Sequence, residues 1–323
     1  MILCMVEHDR GELNEISLQA LTFGRGLAER LDVPLDAVVV GEAGRVLVGS
    51  LGPFGVSTVH LAAHERLDDY APIAWGRSVA ELVSSLGPEA VLAAGTDRGN
   101  EVMAHAAAMS SLPMAANVVA AEPGDPWLVT RVRWGGSLLE EARVHGAAKL
   151  LTVAPHVVRA DETTPSQPEV VEFAPALTDG DLLVRVVDRV AAETGKVALP
   201  TARVVVGGGR GVGSAEGFVV LEELAELLGA AVGCSRVVTS LGWRPHTDQV
   251  GQTGTRIAPD LYIACGISGA IQHMVGAKAA KKILAINMDR DAPIMVQADY
   301  AVIGDLHAVL PAVVQELRKA GGA

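Results

Sequence analysis

Val204-Val205-Val206-Gly207-Gly208-Gly209-Arg210-Gly211-Val212-Gly213-Ser214 runs from three β-branched residues into a glycine cluster and on toward a helical stretch. The pattern reads as a buried strand, a tight loop and a helix start. Glycines let backbone N–H groups approach an anion with no Cβ in the way, and a helix N-terminus adds a favourable dipole. Arg210 places a cation in the same loop, so nucleotide phosphate is the natural ligand. No register of the stretch gives G-x-G-x-x-G, and no Lys follows in the G-K-[ST] sense, so neither the standard dinucleotide fingerprint nor a Walker-A loop is present. A purely structural glycine turn is the competing reading.

Two further stretches lie downstream. Gln249-Val250-Gly251-Gln252-Thr253-Gly254 sits in a long polar loop between Gly242 and Pro259. It offers an amide and a hydroxyl beside glycines, suited to hydrogen bonding a planar heterocycle; an ordinary surface turn is the alternative. Leu261-Tyr262-Ile263-Ala264-Cys265-Gly266-Ile267-Ser268-Gly269-Ala270-Ile271-Gln272-His273 is a second strand, turn and helix start, with Ser268 in the turn and His273 in the first helical turns. Asn287 follows a strand directly. Asp305 precedes the last helix directly, where it reads either as a ligand-facing acid or as an N-cap. Parallel sheets present ligands with these strand ends.

Outward from this core, strands expected at 203–206, 261–264, 283–286 and 300–303 alternate with helices at 215–228 and 306–319. Upstream, strands expected at 2–6, 36–40, 90–94 and 150–153 alternate with helices at 15–31, capped by Asn14, and 73–86, opened by Pro72. Thr96-Asp97-Arg98-Gly99-Asn100 follows a strand and reads as a ligand loop or as a polar turn before a helix. Residues 159–176, whose stretch 161–168 holds two prolines and no apolar period, read as an exposed connection. A helix is expected over 181–194. The reading is α/β with two domains built on parallel-type sheets: residues 1–195, and residues 196–323 as a Rossmann-like nucleotide-binding domain.

Half of the 323 residues are hydrophobic but only 3% are aromatic, so Val, Leu, Ala and Ile must fill the cores. The formal net charge of -12 argues against nonspecific binding to nucleic acid or anionic membrane. Cys4, Cys234 and Cys265 are too scattered for a metal or redox pair and read as buried thiols. Residues 1–8 form a short apolar run broken by charge, which is expected of a first strand rather than a leader. No stretch reaches the length of a membrane span, and a cytoplasmic location is expected.

Gly207 to Gly211, Ser235-Arg236, Val250 to Gly254, and Pro259 through His273 together resemble the alpha subunit of electron-transfer flavoproteins. Asn287, Ala292-Pro293-Ile294, Ala298-Asp299-Tyr300 and Gly304-Asp305-Leu306 continue the resemblance in order over residues 200–320. It implies an electron carrier rather than an enzyme, with one FAD in the C-terminal domain. It implies a beta subunit contacted through the N-terminal domain, flavin dehydrogenases as donors and a quinone-linked acceptor. Arg210, Gly211 and Ser235 are implied at the nucleotide end of FAD. Ser268, Gly269, Ala270, Ile271, Gln272 and His273 are implied around the ribityl–flavin region, and Asn287, Asp305 and Leu306 on the adenosine side. Arg236, Gln252, Thr253 and His273, with Val250 and Gly251 in the same loop, are implied around the flavin ring. This chain departs from the pattern at Thr255, where many members have Lys, and at Ser240, where many have an acid. A stand-alone flavin-dependent oxidoreductase is the rival, but no substrate acid or base is visible beyond His273. A nucleotide-binding regulatory module is a third reading.

Overall fold

Ile2–Val6 (β1) is a five-residue apolar run that is buried along its whole length, as a strand covered on both faces must be. It is the centre of the first sheet. The structure, a computed structural model, describes residues 1–188 and 197–321. The chain divides into two compact units, residues 1–190 and 191–323.

In the first unit β1 leads into helix α1 (Ile16–Leu31), then β2 (Leu35–Val40), β3 (Val56–Ala62), α2 (Pro72–Leu86), β4 (Ala90–Ala94) and α3 (Asp97–Ser110). The chain continues through β5 (Met114–Glu122), β6 (Trp127–Arg133), β7 (Leu138–Val144), β8 (Lys149–Val153) and β9 (Glu169–Phe173). These nine strands form one sheet, ordered β9-β3-β2-β1-β4-β8-β5-β6-β7. All neighbours are parallel except the β5-β6-β7 meander. Helix α1 packs Ala20, Leu21 and Leu27 on one face. On the other face α2 and α3 pack Trp75, Val79, Val102 and Met103.

The N-cap position of α1 is Glu15, which makes no side-chain cap bond, rather than the expected Asn14; Asn14 one residue earlier accepts a hydrogen bond from the Ile16 backbone at 3.1 Å. Thr96 is the N-cap of α3, taking the Gly99 N–H at 2.9 Å, and its hydroxyl also bonds Glu7. The Thr96–Asn100 stretch is therefore a helix start. Residues 159–176 are not wholly a connection, because β9 pairs with β3 and extends the sheet edge. Of the helix expected over 181–194, residues 179–182 form a single 3-10 turn and 183–188 are irregular. Its later residues, 189–194, lie outside the described residues.

The second unit holds β10 (Val204–Gly208), α4 (Val219–Leu228), β11 (Ala231–Cys234), α5 (Arg236–Ser240), β12 (Leu261–Cys265), α6 (Ile271–Ala277), β13 (Ile283–Asn287), α7 (Pro293–Gln297), β14 (Tyr300–Ile303) and α8 (Leu306–Gly321). Its five strands are all parallel, in the order β11-β10-β12-β13-β14. By chain position that is 2-1-3-4-5, a doubly wound sheet whose direction of winding reverses between β10 and β12. Helices α4, α5 and α8 cover one face through Leu221, Val238 and Leu310, and α6 and α7 cover the other through Met274 and Ile294. Cys4, Cys234 and Cys265 are buried and free, and burial pushes each thiol up to about 12.

Candidate functional site

The glycine loop after β10 and the turn after β12 meet at the switch point. Gly209 and Gly211 donate to the Cys265 and Gly266 carbonyls at 2.8 and 3.1 Å. A Cβ on Gly266 would come within 2.7 Å of the Gly211 Cα, and Gly266 has φ +62°. Two loops can lie this close only because both are glycine where they touch.

Beside this crossing lies a cavity of about 400 Å³. The first turn of α5 brings Ser235, Arg236 and Val237, the loop after it brings Gln249 to Thr253, and the start of α6 brings Ile267, Ser268, Ala270, Gln272 and His273. The loop is fixed from both sides: Val250 donates to the Cys234 carbonyl at 2.8 Å and Gln252 to the Gln272 carbonyl at 2.7 Å. Gln249, which is 2% exposed, stiffens it from within. Its amide donates to Thr253 Oγ1 at 2.9 Å and its carbonyl oxygen accepts from Thr239 Oγ1 at 2.8 Å.

Two polar atoms in the cavity lining are buried without partners. Ser235 occupies the N-cap of α5, where a serine oxygen ordinarily accepts a backbone N–H. Here its Oγ makes no cap bond and no other. His273 is 7% exposed; its Nε2 lies 2.8 Å from the Tyr262 hydroxyl, and its Nδ1 has no partner. Burial drives the imidazole pKa down to about 4, against an opposing pull from the Val250 backbone. His273 is thus a neutral donor or acceptor at pH 7, not a partial cation. Arg236 is exposed at the cavity edge, and its guanidinium makes no ion pair among the described residues. An adjoining open cleft of about 420 Å³ shares Arg236, Gln249 and Thr253 and adds Thr239, Ser240 and His246.

Ten of the residues singled out in the sequence meet in the cavity: Ser235, Arg236, Val250, Gly251, Gln252, Thr253, Ser268, Ala270, Gln272 and His273. Seven do not line it. Arg210 and Gly211 lie in the crossing loop, with Arg210 exposed. Gly269 packs against Ile294 with φ +80°, and the Ile271 side chain is exposed on α6. Asn287 bonds the Ile267 carbonyl and the Asp289 N–H, both at 3.0 Å. Asp305 accepts from the His307 N–H at 2.9 Å and so caps α8. The Leu306 side chain belongs to the core. Sequence reasoning missed Gln249 as a lining residue, although its amide flanks the Val-Gly-Gln-Thr-Gly run. It also missed Val237 and Ile267, which are apolar and carry no chemical signal. Among the described residues no cluster of His, Cys, Asp and Glu could hold a metal, and no helix is long and apolar enough to cross a membrane.

A doubly wound domain with a donor-lined cavity beside a glycine crossing at its switch point defines a nucleotide-cofactor-binding protein. Residues 198–278 match the electron transfer flavoprotein FAD-binding domain, and residues 2–178 match the electron transfer flavoprotein domain. The chain is 37% identical over 323 residues to an electron transfer flavoprotein subunit alpha of Mycobacterium tuberculosis, covering 99% of each. It is 32% identical to the corresponding subunit of Thermoanaerobacterium thermosaccharolyticum, covering 98% of each. It is 35% identical to Protein FixB of Clostridium saccharobutylicum, covering 97% of this chain and 95% of that one. The chain belongs to the alpha-subunit family of electron transfer flavoproteins, which are electron carriers, and its cofactor is FAD. The site suits that group: Ser235 Oγ and His273 Nδ1 are buried polar atoms awaiting a polar ligand, and the Gly211–Gly266 crossing leaves a surface free of side chains for a phosphate.

Proposed function

We propose that this chain pairs with an electron-transfer-flavoprotein beta subunit, and that the cytoplasmic heterodimer carries electrons from flavin dehydrogenases to a quinone-linked acceptor. The observation that carries the reading is a pair of unpartnered buried atoms, Ser235 Oγ and His273 Nδ1, on two residues that line one cavity of the domain matching the FAD-binding family. When bound, FAD supplies reversible one- and two-electron chemistry; the protein supplies placement and electrostatics.

Arg210, exposed in the glycine loop, holds the diphosphate together with the loop N–H groups. Ser235 binds the nucleotide end. Backbone and side chains from Ser268 to His273 line the ribityl and ring portion, while Asn287, Asp305 and the Leu306 backbone bound the adenosine side. Gln252 and Thr253 offer an amide and a hydroxyl to the ring edge. Arg236 sets a fixed positive charge at the cavity mouth, and neutral His273 provides a hydrogen-bonding nitrogen without adding charge. The apolar parts of Val237, Val250 and Ile267 keep water from the inner wall. The N-terminal unit has no part in the cavity lining, which fits a role in subunit contact.

Co-expression with a beta subunit, followed by purification of the complex and chromatography of the released cofactor, tests this. A 1:1 complex containing FAD, reduced by a flavin dehydrogenase and reoxidised by a quinone-linked acceptor, is expected. A colourless complex, or turnover of a small substrate by the chain alone, sinks it; the latter favours a stand-alone flavin oxidoreductase.

A further inference from the structure

Tyr262 is 0% exposed, lies at the second position of β12, and reaches under the neighbouring strand β10. A Cβ on Gly207 would overlap the Tyr262 hydroxyl, so the glycine on β10 is what leaves room for it. The hydroxyl meets His273 Nε2 at 2.8 Å, and no other partner of this hydroxyl exists among the described residues. The two side chains thus form a buried pair, eleven residues apart in sequence; the other ring nitrogen, Nδ1, has no partner, and His273 is one of the residues that line the cavity.

The protons of this pair can be arranged in two ways. If the phenol donates to Nε2, every buried proton of the pair but one is used, and the ring hydrogen sits on Nδ1, facing the cavity. If Nε2 carries the hydrogen and donates to the phenol oxygen, the buried O–H is stranded and Nδ1 presents a bare lone pair. Each arrangement leaves one hydrogen of the pair without a partner in the protein, but only the first puts it on Nδ1, where a ligand acceptor in the cavity could take it, while the second strands it on a phenol that is 0% exposed. Tyrosine also holds its proton firmly here, because burial raises its pKa well above the ordinary value. The hydrogen bond made by one imidazole nitrogen decides the state of the other.

We propose that Tyr262 is a positioning residue: by donating its hydroxyl to His273 Nε2 it fixes the hydrogen on Nδ1, so that the cavity receives a neutral, directed N–H donor. Gly207 serves the same end by admitting the phenol. An acceptor atom of the ligand, such as a heterocycle carbonyl, is then matched, and a donor in that position is excluded. The inference rests on the proposed placement of the flavin ring in this cavity, since that ring carries such carbonyls.

The test is a two-bond proton–nitrogen correlation spectrum of the FAD-loaded complex with ¹⁵N-labelled histidine. The His273 signals are assigned by their loss in His273→Gln. Nδ1 is expected to be protonated and Nε2 to show the shift of a hydrogen-bonded lone pair. Protonated Nε2 in the unaltered complex overturns the proposal. Tyr262→Phe is expected to keep FAD at full stoichiometry, to move Nδ1 toward the unprotonated shift, and to displace the visible absorption bands of the flavin. Retention of a fully protonated Nδ1 in that variant also overturns it. Should Tyr262→Phe fail to assemble, residue-specific 3-fluorotyrosine replaces it: the stronger phenol donor is expected to shift Nε2, and an unmoved Nε2 counts against the proposal. A complex that purifies without FAD speaks instead against the assignment of the cavity to flavin. The spectrum still reports the tautomer in that case, so the two failures are distinguishable.

Discussion

Arg236 and His273 sit in the same cavity lining and differ in the charge they bring to it. Arg236 is exposed and has no ion-pair partner among the described residues, so its field is unspent. His273 is held neutral by burial, with a pKa near 4. Position 255 is Thr, so no lysine follows the Gln252-Thr253 pair. On the proposed placement of the flavin in this cavity, Arg236 is the cation among the described lining residues that would favour added electrons, as charge fixed in place does in a site of low dielectric. Arg236→Ala is expected to lower the midpoint potential of bound FAD by about 60–120 mV, which is about 1.4–3 kcal/mol per electron. Arg236→Lys is expected to recover part of it, because Lys keeps the charge and loses the planar fork. Spectroelectrochemical titration decides; an unchanged potential at full FAD content removes Arg236 from this role. The histidine makes a separate prediction. The unfolded chain takes up a proton at His273 near 6.5, whereas the folded chain resists until about 4. In that window the unfolded state binds more protons, so stability falls as pH falls from 6.5 to 4 and levels off below. The gap corresponds to roughly 3 kcal/mol. Urea titrations of cofactor-stripped protein should show this loss, and His273→Gln should show a smaller one. Equal pH slopes in the two proteins rule out His273 as the source.

The loop from Gln249 to Thr255 shows how an element without regular structure can hold a site. Its backbone returns on itself through Thr255 N–H to Gln249 O at 2.7 Å, and the Gln249 side chain ties it to Thr239 on α5 and to Thr253. Gln249→Leu keeps the volume and removes both ties. Thr239 and Thr253 are reachable by water, so the cost should be about 1 kcal/mol in stability, at the lower end for a lost hydrogen bond. The larger effect is expected on FAD affinity, since Thr253 and Gln252 lose their fixed orientation. Equilibrium dialysis should show affinity weakened several-fold; unaltered affinity means that the backbone bonds alone hold the loop. What was legible in the sequence follows from burial. β1, β2, β4, β8, β10, β12 and β13 were visible as apolar runs because parallel strands are covered on both faces; β14 was read from its apolar residues although it is exposed, and β3 and β11 were not read as strands. The β5-β6-β7 meander and β9 were missed, since many of their residues are exposed and no apolar run marks them. Helices α5 and α7, of five residues each, are too short for a helical period to register, whereas the start of α6 was read from the turn that precedes it. Cavity residues were readable where polar groups flank glycines. Tyr262 was not: it reads as one more apolar strand residue until its hydroxyl is placed against His273.

Each hydrophobic cluster of the molecule stays within one unit. The two clusters of the first unit involve residues no later than Leu182, and those of the second begin at Leu199. All thirteen residues lining the cavity fall between Ser235 and His273. Each unit therefore buries its own core and should fold alone, a general property of domains, and the cofactor should follow the second unit only. A fragment of residues 1–188 is expected to fold without flavin. A fragment of residues 197–323 is expected to retain FAD, more weakly than the whole protein. That weakening is expected because β14 is exposed along its length, with Tyr300 and Ile303 each 60% exposed, and such an apolar edge is suited to cover by another chain. The net charge of -12 favours solubility but does not cover that edge. Purifying the two fragments separately and reconstituting them with FAD decides the matter by absorbance and circular dichroism. Flavin bound to the 1–188 fragment, or an unfolded 197–323 fragment in the presence of excess FAD, shows that the site needs more of the molecule than its lining implies.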